Sequence, residues 1–190
     1  MLESPTRTRA SRLHPLGVTR AALALALVTL ATPAGADPPG EGRGPEPGVC
    51  QDLRVPAGNR VASHVYAAGV QIYRWAGTSW VFLAPEATLF ADYGFHGVVG
   101  IHYAGPTWES LGGGKVVGAV VDRCTPRPDA IPWLSLRAVS TSGSGIYRRV
   151  TYIQRVNTAG GTAPARPGAF VGEVARVPYT AEYYFYRADR

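Results

Sequence analysis

The residues of this 190-residue chain best suited to chemistry fall in one stretch, Asp92, His96, His102, Trp108 and Glu109. A neutral imidazole beside a carboxylate can pass a proton, so His102 with Glu109 or Asp92 is the candidate general-base pair of a hydrolase. His96 and His102 have equal parity, but Gly97 and Gly100 stand between them and interrupt any single strand that would turn both the same way. A zinc site needs three or four ligands at tighter spacing, and we expect no metal and no cofactor. His64 alternates with Ala62 and Tyr66 and is read as structural.

Two other motifs carry less. Gly112, Gly113, Gly114 and Lys115 suggest a phosphate loop, but Val116 stands where a Ser or Thr would hold magnesium, and a strand pattern follows instead of a helix. They are read as a turn. Ser144 between Gly143 and Gly145 lacks the outer glycine spacing of a nucleophile elbow and is read as a loop residue. The aromatics Tyr73, Trp75, Tyr103, Trp108 and Trp133 are candidates to line a ligand pocket, with Trp80 nearby, although aromatics also fill ordinary β cores.

These side chains must be held by strands. From Val55 onward, short runs rich in Val, Ile, Tyr and Trp are separated by Gly, Pro, Ser and Thr, and no segment holds a long 3.6-residue apolar period. Strands are expected over 60–67, 70–75, 79–83, 98–103, 115–122, 133–139, 150–156 and 178–186. The break at Gly77 makes a hairpin that brings Trp75 and Trp80 together. In the last strand, Tyr179, Ala181, Tyr183 and Phe185 share one face and Thr180, Glu182, Tyr184 and Tyr186 the other, so both faces carry aromatics. The strand at 115–122 is apolar on both parities and is expected to be covered on each side. An all-β fold of about eight strands follows, either an antiparallel barrel or a two-sheet sandwich, in one domain over 50–190; closure without free edges favours the barrel. Residues 112–114 and 157–167 are expected to be loops.

The N-terminus has Arg7, Arg9, Arg12 and Arg20 ahead of an uncharged run from Ala21 to Leu30, too short to span a bilayer, then Ala34, Gly35 and Ala36. Residues 1–36 therefore read as a signal peptide cleaved between Ala36 and Asp37, with export by the general secretion route to the extracellular space. Residues 37–49, rich in Pro and Gly, read as a disordered linker. Cleavage removes four Arg and one Glu and lowers the formal charge from +6 to +3, with Arg scattered, which argues against a nucleic-acid partner. The mature chain has no transmembrane segment, and its oligomeric state is left open. Cys50 and Cys124, the two cysteines, are expected to form a disulfide in an oxidising compartment.

Several blocks resemble one family. These are Gly69-Val-Gln-Ile-Tyr73, Ala84-Pro-Glu-Ala-Thr-Leu89, Gly100-Ile-His-Tyr-Ala-Gly-Pro-Thr-Trp108, Ile131-Pro-Trp-Leu134, Val150-Thr-Tyr-Ile-Gln-Arg-Val156, Gly160-Gly-Thr-Ala-Pro164 and Val177-Pro-Tyr-Thr-Ala-Glu-Tyr-Tyr-Phe-Tyr186. In this order they are similar to domain-of-unknown-function family 3455, found in exported bacterial and fungal proteins, over about Val55 to Tyr186. Many members carry a cysteine after the first and the sixth of these blocks; neither is present here, so a bridge from Cys50 to Cys124 is this chain's own. Some fungal relatives bear the label malate dehydrogenase, but this sequence has no Gly-rich strand-to-helix turn for a dinucleotide. The resemblance brings no catalytic residues with it.

Function is thus expected to be binding of a small molecule or cell-surface component through aromatic residues. The alternatives are a hydrolase using His102 and an extracellular protein-interaction module. The protein recovered from culture medium should begin at Asp37; an intact mass that retains residues 1–36 would contradict this reading.

Overall fold

The computed structural model describes residues 44–189, so the signal peptide, its cleavage point between Ala36 and Asp37, and residues 37–43 of the expected linker lie outside the described residues. The described chain forms eight strands: β1 Asn59–Trp75, β2 Trp80–Phe90, β3 Val98–Tyr103, β4 Thr107–Ser110, β5 Lys115–Cys124, β6 Trp133–Ser142, β7 Val150–Gly160 and β8 Val174–Ala188. Each pairs antiparallel with the next, and β8 returns to β1, giving a closed barrel in sequence order. Closure selects the barrel over the sandwich.

Eight strands agrees with the sequence reading, but the membership differs. The expected strands at 60–67 and 70–75 are one strand, β1, which runs through Gly69. A Cβ there would lie 2.2 Å from the Glu86 carbonyl oxygen and 2.4 Å from the Ala87 Cα, so glycine is required by the close approach of β2, and it does not end the strand. β4 was not expected, because the run Thr107, Trp108, Glu109 and Ser110 is short and only partly apolar. The Trp75–Trp80 hairpin forms, with Gly77 at φ 95° and ring centroids 5.5 Å apart. Gly113, at φ 78°, turns β4 into β5. Residues 157–160, expected in a loop, continue β7.

Alternation along the strands sorts side chains between the interior and the outside. Val65 and Ala67 of β1, Leu89 of β2, Trp108 of β4, Val116 of β5, Leu136 of β6, Ile153 of β7 and Phe185 of β8 fill one half of the barrel. The end of that half is closed by a 3₁₀ turn, Gly145–Tyr147, whose Tyr147 ring is buried against Phe185 with centroids 4.6 Å apart.

Outside the barrel, the segment from Gly44 to the first strand lies against β7 and β8. Leu53 is fully buried, and its carbonyl accepts the Gln154 amide at 2.6 Å. Tyr186 donates to Gln154 in turn, which explains the aromatic outer face of β8. Residues 44–49, expected within the disordered linker, belong to this packed segment: Pro47 is buried and its carbonyl accepts the Cys50 N–H at 2.8 Å. The expectation that β5 is covered on both sides is not met, since Val121 is 63% exposed on the outer face.

Cys50 and Cys124 are disulfide-bonded, pinning this segment to β5 across a sequence separation of 74. Closing a loop of that length limits the unfolded chain by about 4 kcal/mol in the chain-entropy estimate. Replacing both cysteines with serine should lower the unfolding free energy by about that amount in urea denaturation. An unchanged midpoint would show that the bridge constrains nothing that the barrel does not already hold.

Candidate functional site

The half of the barrel opposite Tyr147 is not filled. It opens as a mouth of about 410 Å3, walled by Tyr73, Phe82, Leu83, Pro106, Val120 and Leu134, with Gln71, His102, Arg123 and Arg155 among its polar groups. Register places these groups. Gln71 and Tyr73 follow Val65 and Ala67 on the inward parity of β1, His102 faces Trp108 across β3 and β4, and Arg155 faces Tyr183 across β7 and β8. The lining contains no Asp or Glu.

His102 is 2% exposed and lies flat on Trp108, with ring centroids 4.4 Å apart and planes 10° from parallel. Its Nδ1 is 2.8 Å from the Thr107 carbonyl oxygen. A carbonyl only accepts, so Nδ1 carries the proton and Nε2 is the acceptor. Burial holds the imidazole pKa down to about 3, with the Arg155 charge adding in the same direction and the Thr107 bond opposing. His102 is therefore neutral at physiological pH.

The other members of the expected acid–base cluster lie elsewhere. Glu109 is paired in register with Ile101, not His102, and so faces outward; it accepts from the Tyr103 hydroxyl at 2.7 Å and pairs with Lys115 at 3.1 Å. Those two contacts, the Tyr103 hydrogen bond first, lower its pKa. Asp92 and His96 pair on an exposed turn at 3.1 Å, where the His96 backbone N–H keeps the Asp92 carboxyl low. The histidine–carboxylate contact within the barrel wall is one the sequence reading did not propose. His64 Nε2 lies 2.8 Å from Glu182 on the outer face, its ring stacked on Tyr184 at 3.9 Å and Asn157 donating to the other carboxylate oxygen. Among the described residues, no group of three or more His, Cys, Asp or Glu could hold a metal.

Of the five expected pocket aromatics, Tyr73 lines the mouth. Trp108 is 1% exposed and belongs to the filled half. Trp75 packs beside Trp80 in the hairpin, Tyr103 faces outward to Glu109, and Trp133, the first residue of β6, pairs with Cys124.

The polar residues of the mouth were missed. Arg155 is half-buried, its Nε and Nη2 donating to the Pro132 carbonyl at 3.0 and 2.8 Å. Among the described residues no carboxylate lies within ion-pair distance of it. Gln71 is 2% exposed, and its amide nitrogen has no hydrogen-bond partner; the hydroxyls of Tyr179 and Tyr183, buried nearby, have none of good geometry either. Burial raises the pKa of both tyrosines, so they remain O–H donors. Gly161, at φ 78°, accepts the Tyr73 hydroxyl through its carbonyl at 2.7 Å, and a Cβ there would press on Tyr179, Gln71 and Ile131. The signal available in the sequence was parity: Gln71 and Arg155 are polar residues that follow apolar ones on the inward face, Val65 and Ala67 in β1 and Ile153 in β7.

A second recess, of about 460 Å3, lies at the closed end between Arg60, Arg148, Arg149 and Arg187. Ala188 is its one apolar side chain, so it has no walls to enclose an apolar body.

Fold and site together define an up-and-down antiparallel barrel of eight strands, filled at one end and open at the other as a lined mouth. The chain belongs to the family described as protein of unknown function (DUF3455), which matches residues 56–187. No curated protein and no solved structure shows a significant match.

The depressed pKa of His102 has a consequence for stability. Its folded value of about 3 lies below the ordinary 6.5, so the unfolded chain takes up the proton first. The stabilisation is complete above pH 6.5 and is lost as pH falls from there towards 3. In urea denaturation at fixed pH, wild-type stability should fall between pH 6.5 and 5, above the range where carboxylates titrate, and His102→Gln should flatten that slope. The same slope in both proteins would show that His102 takes up its proton without unfolding.

Proposed function

We propose that this is an exported, non-enzymatic barrel domain that binds a small molecule in its open mouth. One observation carries the reading: one half of the barrel is packed with side chains, whereas the other is left as a concave space of about 410 Å3 with apolar walls and a few inward polar groups. Spaces of that size and character suit small ligands. The position of His102 supports binding over hydrolysis, since its proton is held by a backbone carbonyl and no carboxylate lines the mouth to take part in proton transfer. The disulfide supports residence in an oxidising compartment, in keeping with a signal peptide over 1–36.

The test is native mass spectrometry of the protein secreted by its own host, before and after mild denaturation, beside Leu134→Trp. Leu134 lines the mouth, and the larger ring obstructs it. The wild type should carry a discrete additional mass that is released on unfolding, and the variant should lack it while melting at the temperature of the ligand-stripped wild type. An added mass retained equally by the variant would place the ligand elsewhere. A bare wild type, whose melting temperature no small-molecule panel raises, would end the binding reading.

A further inference from the structure

The mouth has an uneven charge and hydrogen-bond balance that narrows its ligand. It is lined by two guanidinium groups, Arg155 deeper in the barrel and Arg123 at the exposed rim, and by no acid. Arg155 uses two of its five donors on the Pro132 carbonyl, and the Tyr183 hydroxyl lies within reach of the guanidinium as well. Beside it, the buried Gln71 amide nitrogen and the Tyr179 and Tyr183 hydroxyls approach one another and Arg155, but none of the three makes a hydrogen bond of good geometry. Poorly satisfied buried polar groups are uncommon and costly, and each of these can donate a hydrogen bond beside a positive charge that no carboxylate balances.

Resting on the binding reading above, we propose that the mouth is a site for small monocarboxylates with an apolar body, the carboxylate taken by Arg155 and Gln71 and the body by Tyr73, Phe82, Val120 and Leu134. A carboxylate is planar, accepts at two oxygens and matches the guanidinium fork. A single negative charge balances the single deep cation. A dianion such as phosphate would carry a second charge against apolar walls with only the rim Arg123 to answer it, and desolvating that charge is expensive. A cationic ligand would meet two like charges. His102, with Nε2 as its acceptor, adds a position where a hydroxyl or amide N–H on the ligand is favoured.

The test is calorimetric titration of the intact secreted chain with matched sets of alkyl and aryl acids of about eight to twelve carbons, their primary amides and their amines, a length suited to a pocket of this size. Each acid should bind about tenfold or more tighter than its amide, as expected for charge-assisted hydrogen bonds, and the amines should not bind. Arg155→Gln should erase the preference for acid over amide, and Arg155→Lys should retain part of it. Because Arg155 also anchors Pro132, each variant is compared by melting temperature, and Val120→Glu gives a second arm at a half-open rim position. It puts a carboxylate into the mouth and should weaken the acids while leaving the amides. Amides that bind as well as acids, or acids that bind Arg155→Gln as they bind the wild type, would overturn the carboxylate assignment and leave the pocket standing. Failure of acids, amides and amines alike would overturn the binding reading and this inference with it.

Discussion

Strand β1 is hydrogen-bonded along most of its length on both sides, to β2 through Tyr66 to Trp75 and to β8 through Asn59 to Arg74, so the first and last strands of the sheet meet without a free edge. Closure of this kind divides each strand's side chains into an inner set with a fixed volume to fill and an outer set facing solvent or the flanking chain. Everything else follows from how the inner set fills that volume. Gly69 lies where β1 is closest to β2, and a side chain there would push the seam apart.

The inner set is distributed unequally along the barrel axis. Towards Tyr147, large rings interlock: Trp108 stands edge-on to Phe185 at 5.9 Å and to Tyr183 at 5.3 Å, and His102 lies flat over Trp108. Gly118 leaves room for the indole, since a Cβ there would come within 3.2 Å of it. Above this stack the inward residues become polar or lie at the rim, and the space stays open. His102 sits at the boundary, its lower face on the packed core and its edge at the mouth. A residue in that position cannot be charged without desolvating the charge, which is why the imidazole is neutral and why it works as an acceptor.

Much of the architecture was legible in the sequence because strand formation depends on local pattern. The alternation in β8 and the hairpin at Gly77 mark their structural outcome within a few residues, and the two cysteines leave a single possible pairing. What was not legible depended on the third dimension. Gly69 looks like a strand break until β2 is seen pressing on it, and β4 is too short and too polar to stand out from a loop. The cluster of Asp92, His102 and Glu109 looks like one site because the residues are near in sequence, but alternation sends His102 inward and Glu109 outward, and a turn carries Asp92 away. The mouth is assembled from β1, β2, β3, β5, β6 and β7, so its polar residues are scattered over 85 positions, from Gln71 to Arg155. Of the aromatics expected to line a pocket, Trp108 lies in the packed half instead, because the largest rings go where volume must be filled.

The polar groups of the mouth also bear on why the barrel leaves that half open. Filling it with Leu and Phe would gain apolar burial of about 25 cal/mol for each Å2 removed from water, and the strands would tolerate such residues at inward positions. Instead the chain places Gln71 and Arg155 there, secures the guanidinium to the Pro132 carbonyl from two of its nitrogens, and holds the neighbouring turn with a glycine at positive φ that accepts Tyr73. The Pro132 carbonyl thereby fixes a positive charge inside an apolar cavity, and the Gly161 turn fixes the Tyr73 ring in the same wall. Packing alone does not explain that arrangement, because each of these groups lowers the stability an apolar residue would give. The carboxylate site proposed above would account for it, because an acceptor-rich anion suits donors held beside a positive charge.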